Sequence, residues 1–195
     1  MVNAMKSVDE LLRETEARLS GHFRLSSGLH SPHYIQCARL LEHPRHADDL
    51  GARLAEKVRP WNPRRIVAPA LGGLIIGYTV ARALDVPMVF TERKDGAMTL
   101  RRGFRLEPGE RVVIVEDVVT TGKSTRETAQ VVEEHGASVA GYASILNRSG
   151  SANPFDGPYA FLAELALESF PESSCPLCAA GAPLDSPGSR FGGKA

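Results

Sequence analysis

Residues Arg111 to Thr125 read R-V-V-I-V-E-D-V-V-T-T-G-K-S-T, and this run constrains the chain more than any other. Val112 to Val115 are consecutive β-branched residues, the pattern of a strand covered on both faces in a parallel sheet. Glu116 and Asp117 follow without a break. Two carboxylates are costly to bury uncompensated, so they are expected at the open end of that strand, within reach of a polar ligand. Thr120-Thr121-Gly122-Lys123-Ser124 then forms a turn of small residues whose N–H groups can converge on an anion. The same turn opens a helix: Ser124 and Glu127 have capping-box spacing, and the pattern runs through Ala129 and Val132 to a stop at Gly136. The free N–H groups and partial positive charge of a helix start suit a phosphate. Gly122-Lys123-Ser124 does not end a nucleoside-triphosphate P-loop, because that pattern needs a glycine five residues earlier, where Asp117 stands.

The 195 residues suffice for one α/β domain with a substantial core and are short for two. Lys and Arg number 23, as do Asp and Glu, a balance that argues against a nucleic-acid partner held by phosphate neutralisation. No apolar run reaches the roughly 18 residues of a membrane span, and the N-terminus lacks a charged-then-apolar leader. Three cysteines fit reduced thiols better than a disulfide framework. Together these features predict a cytoplasmic protein without a membrane partner.

Along the chain, Ser7 to Ser20 predicts an amphipathic helix with a Ser7/Glu10 capping box and a stop at Gly21. His22 to Ala38 changes to short β-like runs about a Ser-Ser-Gly turn. Pro44 to Val58 is a second helix, with Ala47, Leu50, Leu54 and Val58 on one face. A strand over Arg65–Ala68 leads through Pro69-Ala70-Leu71-Gly72-Gly73 into a helix ending near Leu84. The glycine pair serves either a close approach of backbone to ligand or tight packing of helix on sheet. Val86 to Thr91 is a further strand ending in Glu92-Arg93-Lys94. Between Asp95 and Glu110 the alternation breaks; Met98–Leu100 and Gly103–Leu106 are expected to pair as a hairpin, with Arg101 and Arg102 between them. Ala137–Leu146 is another apolar strand, closed by Asn147-Arg148-Ser149-Gly150, and Tyr159–Leu167 a last one at an edge. Strands alternating with helices predict a mainly parallel sheet flanked by helices, with ligands at the carboxyl ends of its strands. Gly72-Gly73, Arg93-Lys94, Glu116-Asp117 and Asn147-Arg148 each follow a strand and so share one rim.

Four apolar residues, two acids, two apolar residues and Thr-Thr-Gly resemble the phosphoribosyl-pyrophosphate (PRPP) signature of type I phosphoribosyltransferases. The run G-H-F-R-L-S-S-G-L-H-S-P-H-Y-I-Q-C-A resembles the N-terminal hood of the orotate-using branch of that family. The resemblance covers about Gly21 to Gly150. It implies the type I fold as a single domain over 1–195, with a hood over about 1–40, a core over about 41–170, a tail over 171–195 and a flexible inserted hairpin. It implies transfer of a ribosyl 5-phosphate from PRPP to orotate with Mg2+, the metal being held mainly by PRPP and water. PRPP would be held by Gly72, Gly73, Arg93, Lys94, Glu116, Asp117, Val118, Val119, Thr120, Thr121, Gly122, Lys123 and Ser124. Orotate would be held by Thr120, Arg148, Tyr34 and Ile35, and a homodimer would bring the loop and Arg93 across its interface. A phosphoribosyltransferase for a purine or another base, and a non-catalytic PRPP-sensing regulator, are the other readings such a chain allows.

The sequence departs from the family pattern in its loop, where Asp95 to Leu100 has neither the usual lysine nor the usual histidine. Ser26 and Gly72 likewise stand where many members have PRPP-binding lysines. Arg101 and Arg102 are the only cations inside the loop before Arg105. They either take over the missing charge, and with Asp117 form the catalytic set, or are solvated on an exposed hairpin. Arg148 either forks onto a substrate carboxylate or forms a surface salt bridge. Cys175-Pro176-Leu177-Cys178 is expected to be a pair of free thiols. It is also half of a zinc site, which Cys37, His22 or His30 completes only if the fold brings them near.

Overall fold

The computed structural model describes residues 6–25 and 27–187. Its main sheet has six strands in the order β5-β4-β3-β6-β7-β8: β3 Arg65–Pro69, β4 Met88–Lys94, β5 Ala97–Leu100, β6 Arg111–Val119, β7 Ser138–Asn147 and β8 Tyr159–Glu164. All pairings are parallel except β4 with β5. Successive side chains of β6 point to opposite faces. Val113 and Val115 enter a core built with helices α1 (Val8–Glu14), α2 (Cys37–Leu41), α3 (Pro44–Val58) and α4 (Gly73–Leu84). Val112 and Ile114 enter a second core with Ala129 and Val132 of α5 (Lys123–Glu134). The β-branched run is therefore buried on both sides, as its composition demands.

From β3 the chain winds outward through α4 to β4, and from β6 it winds the other way through α5 to β7. The switch of direction lies between β3 and β6, where the carboxyl ends of neighbouring strands diverge and open a crevice. Beside it, β1 (Arg18–Arg24) and β2 (His30–Ile35) form a separate antiparallel hairpin. The segment after β8 crosses back to this hairpin, with bridges from Phe170 to His30 and from Asp185 to Phe23 and a short helix α6 (Pro176–Ala179) between them.

Three local expectations are corrected. The first helix ends at Glu14, six residues early: Glu16 takes a positive φ of 50°, and Leu19 belongs to β1. The hairpin after β4 turns at Asp95-Gly96 and pairs Ala97–Leu100 back onto Thr91–Lys94, so Gly103–Leu106 form no strand. Asp95 and Gly96 have φ of 51° and 85°, the two left-handed positions of a tight hairpin turn, and Asp-Gly is a favoured dipeptide there. Finally, α5 starts at Lys123 with Gly122 as its cap, and no side chain caps it. Ser124 is thus already inside the first turn, and Glu127 is drawn away to Arg93 and Lys123. The Ser7/Glu10 capping box, by contrast, forms in full.

Candidate active site

Two adjoining cavities open at the switch point, sharing Tyr34, Gln36, Asp117 and Val118 in their walls. The first, of about 520 Å³, lies under the hood hairpin and is lined by Tyr34, Ile35, Cys37, Thr120, Thr121 and Arg148, closed on the outside by Leu25, Leu29, Ala166 and Leu167. The second, of about 890 Å³, lies between the loop after β3 and the start of α5, against Gly72, Arg93, Glu116, Lys123 and Ser124.

Strand β6 runs on through the acidic pair to Val119 instead of stopping before it. Glu116 is buried, and neither it nor Asp117 has a basic partner among the described residues. Burial and the neighbouring Asp117 push the Glu116 carboxyl well above the ordinary carboxylate range. Burial also raises Asp117, although the Val118 N–H donates to it at 2.7 Å. Two acids facing a cavity without an ion-pair partner among the described residues favour a ligand that brings hydroxyl donors and positive charge.

Gly72 lies opposite this pair: a Cβ there would come within 2.8 Å of both Asp117 carboxylate oxygens. Gly73 has a packing reason, because its Cβ would meet the Val115 carbonyl at 2.8 Å where α4 presses on β6. The turn before α5 depends on Gly122, which has φ 68° and whose Cβ would fall 2.9 Å from both Phe155 and Arg126. Arg126 holds the turn by donating to the Thr121 carbonyl at 2.6 Å, leaving the first N–H groups of α5 without intrahelical acceptors.

Arg148 projects from the loop after β7. No ion-pair partner reaches it among the described residues, its Nε is sealed from solvent without a hydrogen bond, and burial lowers its pKa below the usual value. The salt-bridge alternative is therefore removed. The loop is fixed by the fully buried Asn147, which donates to the Ser151 carbonyl at 2.8 Å and accepts from the Ser149 N–H and hydroxyl. Sequence reasoning noted Asn147 only as a strand end; an amide after an apolar strand was the available signal. It missed Gln36 and Met98, which also line the cleft.

Six expected site residues lie off the cavity walls. The Val119 side chain is in the second core, and its carbonyl accepts from the Arg148 N–H at 2.7 Å. Gly73 and Gly122 act through backbone and packing. Lys94 is exposed on the hairpin. Arg101 and Arg102 both pair with Glu92, at 3.4 and 3.0 Å, with Arg102 over the Phe90 ring, because the hairpin turns earlier than expected. Arg93 lines the second cavity of its own chain, paired with Glu127 and donating to the Gly96 carbonyl at 2.8 Å. Ser26 lies outside the described residues.

The sheet order, the acidic pair and the small-residue turn together define a type I phosphoribosyltransferase fold. Residues 36–173 match the phosphoribosyl transferase domain, and the chain belongs to that family. It is 46% identical over 183 residues to an orotate phosphoribosyltransferase of Thermotoga maritima, covering 94% of this chain and 98% of that one. An orotate phosphoribosyltransferase of Carboxydothermus hydrogenoformans is also 46% identical over 183 residues, covering 93% and 96%. The crystal structure of orotate phosphoribosyltransferase from Aeropyrum pernix superimposes with a TM-score of 0.66 at 26% identity, over 80% of this chain and 92% of that one.

Proposed function

We propose that the protein is an orotate phosphoribosyltransferase, transferring the ribosyl 5-phosphate of PRPP to orotate with release of pyrophosphate. The observation that carries this reading is Arg148: a half-buried guanidinium without an acidic partner, sharing a cavity with Thr120 and Tyr34. A planar fork suits a substrate carboxylate, which orotate has and the purine bases lack. Orotate takes the first cavity with Tyr34, Ile35 and Thr120, and PRPP spans both. Its 5′-phosphate sits on the Thr120–Ser124 turn and its pyrophosphate between Gly72, Arg93 and Lys123.

In the reaction the bond from C1 to the pyrophosphate oxygen breaks, a bond from C1 to a ring nitrogen of orotate forms, and the proton of that nitrogen passes to solvent water. The ribose gains positive character as the leaving group gains negative charge, so stabilisation is electrostatic. Glu116 and Asp117 hold the ribose hydroxyls and face the developing ring charge. The hard oxygen donors of this pair suit magnesium, which would be held mainly through PRPP and water and would offset the pyrophosphate charge.

We read residues 1–195 as one domain working as a homodimer in the cytoplasm. Leu71, Ile75 and Tyr78 make an exposed apolar stripe beside the cleft, suited to a second copy. In that dimer the loop, with Arg101 and Arg102, and Arg93 act across the interface on the neighbour's site. None of the helices in the described residues is long and apolar enough to cross a membrane. The test supplies PRPP and magnesium with orotate, adenine, hypoxanthine or no base and follows pyrophosphate release. Orotate-dependent release is expected, and purine-dependent release or binding of PRPP without turnover would refute the reading.

A further inference from the structure

Far from each other in sequence, His22, His30, Cys175 and Cys178 each bring one ligand atom to a point where all four atoms lie within 4.8 Å of one another. We propose that these residues bind one zinc ion, which fastens the C-terminal segment to the hood hairpin. The edges of the cluster match a tetrahedral Cys2His2 site. His22 Nε2 lies 3.0 Å from His30 Nδ1, and sulfur lies 3.5 Å from nitrogen between Cys175 and His22, 3.7 Å between Cys178 and His22 and 3.2 Å between Cys178 and His30. Metal bonds of about 2.3 Å to sulfur and about 2.0–2.1 Å to nitrogen place tetrahedral ligands about 3.4 Å apart for two nitrogens and about 3.6 Å apart for sulfur and nitrogen.

The orientation of the rings supports the same assignment. His22 Nδ1 lies 2.9 Å from the Ala182 carbonyl, so it carries the proton there and leaves the Nε2 lone pair facing the cluster. His30 is almost fully buried, and its outer Nε2 has no hydrogen-bond partner among the described residues. Packing alone therefore turns its Nδ1 inward. Both thiols are free, and Cys175 is buried. Two thiolates and two imidazoles in tetrahedral array select zinc, and four protein ligands leave no open position, the mark of a structural site.

The fold also supplies a need for such a tie. After Phe155, Cys175 is the only buried residue in the described chain. The segment from Leu165 to Pro187 has no core of its own and meets the hood through a few hydrogen bonds, such as Arg24 N–H to the Asp185 carbonyl at 2.8 Å and the Ser31 hydroxyl to the Glu168 carbonyl at 2.7 Å. A metal ion supplies the cohesion that apolar burial does not. The outer wall of the first cavity, Leu25, Leu29, Ala166 and Leu167, belongs to the two segments so joined.

The test is the metal content of the full chain purified under reducing conditions. One zinc per chain is expected in the wild type and in Cys37→Ser, and less than about a tenth in the double variant Cys175→Ser/Cys178→Ser. Chelation should lower the Tm of the wild type by at least ~5 °C, and added zinc should restore it. To guard against a variant that fails to fold, Co2+ is added to the metal-free wild type, where the thiolate and d–d absorption bands of tetrahedral cobalt should saturate at one ion per chain. A zinc-free wild type that gives no such bands, a Cys175–Cys178 disulfide in the reduced preparation, or full zinc retention in the double variant would overturn the proposal.

Discussion

Arg148→Met should weaken orotate recognition and stabilise the ligand-free protein at the same time. Arg148 has its Nε sealed from solvent without a partner, and no carboxylate reaches its guanidinium among the described residues. A buried donor left unpaired costs about 1–3 kcal/mol, and because the rest of the side chain is only half-buried the lower bound applies, about 1 kcal/mol. Methionine keeps much of the volume and removes that cost, so the Tm without ligands should rise by about 2–4 °C. A charge-assisted forked pair contributes about 1.5–3 kcal/mol, so losing it should raise the KM for orotate roughly 10- to 150-fold while the KM for PRPP stays near the wild-type value. Arg148→Lys, with the charge but not the fork, should fall between the two. Initial rates against orotate at saturating PRPP, with differential scanning calorimetry of the free proteins, read both effects. A KM for orotate that moves less than about threefold, or a fall in Tm, would refute the argument, because the first denies the contact and the second denies that the charge is uncompensated.

Burial and Asp117 raise the Glu116 pKa in the folded state, so the folded protein binds a proton there more tightly than the unfolded chain. The associated stability is fully present below the unfolded carboxylate value of about 4.3 and is lost as pH rises through the folded one. Glu116→Gln should flatten this pH dependence in thermal scans, raise the ligand-free Tm at neutral pH and lower kcat/KM by roughly 10²-fold. Gly122→Ala forces a side chain into φ 68° and against Phe155 and Arg126; a Tm lowered by more than ~2 °C and a KM for PRPP raised more than that for orotate are expected in the same assays. Of Arg101→Ala and Arg102→Ala, at least one should reduce turnover by roughly 10²-fold, and near-normal rates in both would remove the loop cations from the chemistry. Ser7→Ala, which breaks the capping box far from the cleft, should cost about 1 kcal/mol, seen as a Tm lower by about 2–4 °C with unchanged kinetic constants.

The central strand, its acids and the turn into α5 were legible because each rests on a rule spanning a few residues: a β-branched run buried on both faces, carboxylates needing an exit, a glycine at positive φ. Errors arose where two local signals competed. At Ser124 and Glu127 the capping-box spacing was present, but Gly122 took the cap and Arg93, from another strand, took the glutamate. In the loop, Asp95-Gly96 is itself a hairpin signal that outweighs the later Gly103, and the hairpin it forms leaves Arg101 and Arg102 beside Glu92 in their own chain. The approach of His22 and His30 to the cysteine pair was not legible at all. It depends on the long return of the chain after β8, set by backbone pairing of Phe170 and Asp185 with the hood, and no periodicity encodes that path.

The charges of the cleft explain why it should bind two anionic substrates together. Asp117 and Arg148 line the same cavity, yet burial raises the first and lowers the second, the opposite of what a mutual ion pair would do. Burial is the main cause of the Arg148 shift, and no carboxylate is among the groups that offset it. On the proposed function each charge is left for a ligand: the carboxylates for hydroxyls and a developing positive ring, the guanidinium for a carboxylate. A sequence selected only for stability would close the pair or replace it with apolar residues of similar volume. Holding them apart leaves the folded protein less stable than it needs to be and fixes the dipoles before substrate arrives, so little reorganisation is required when charge develops at C1.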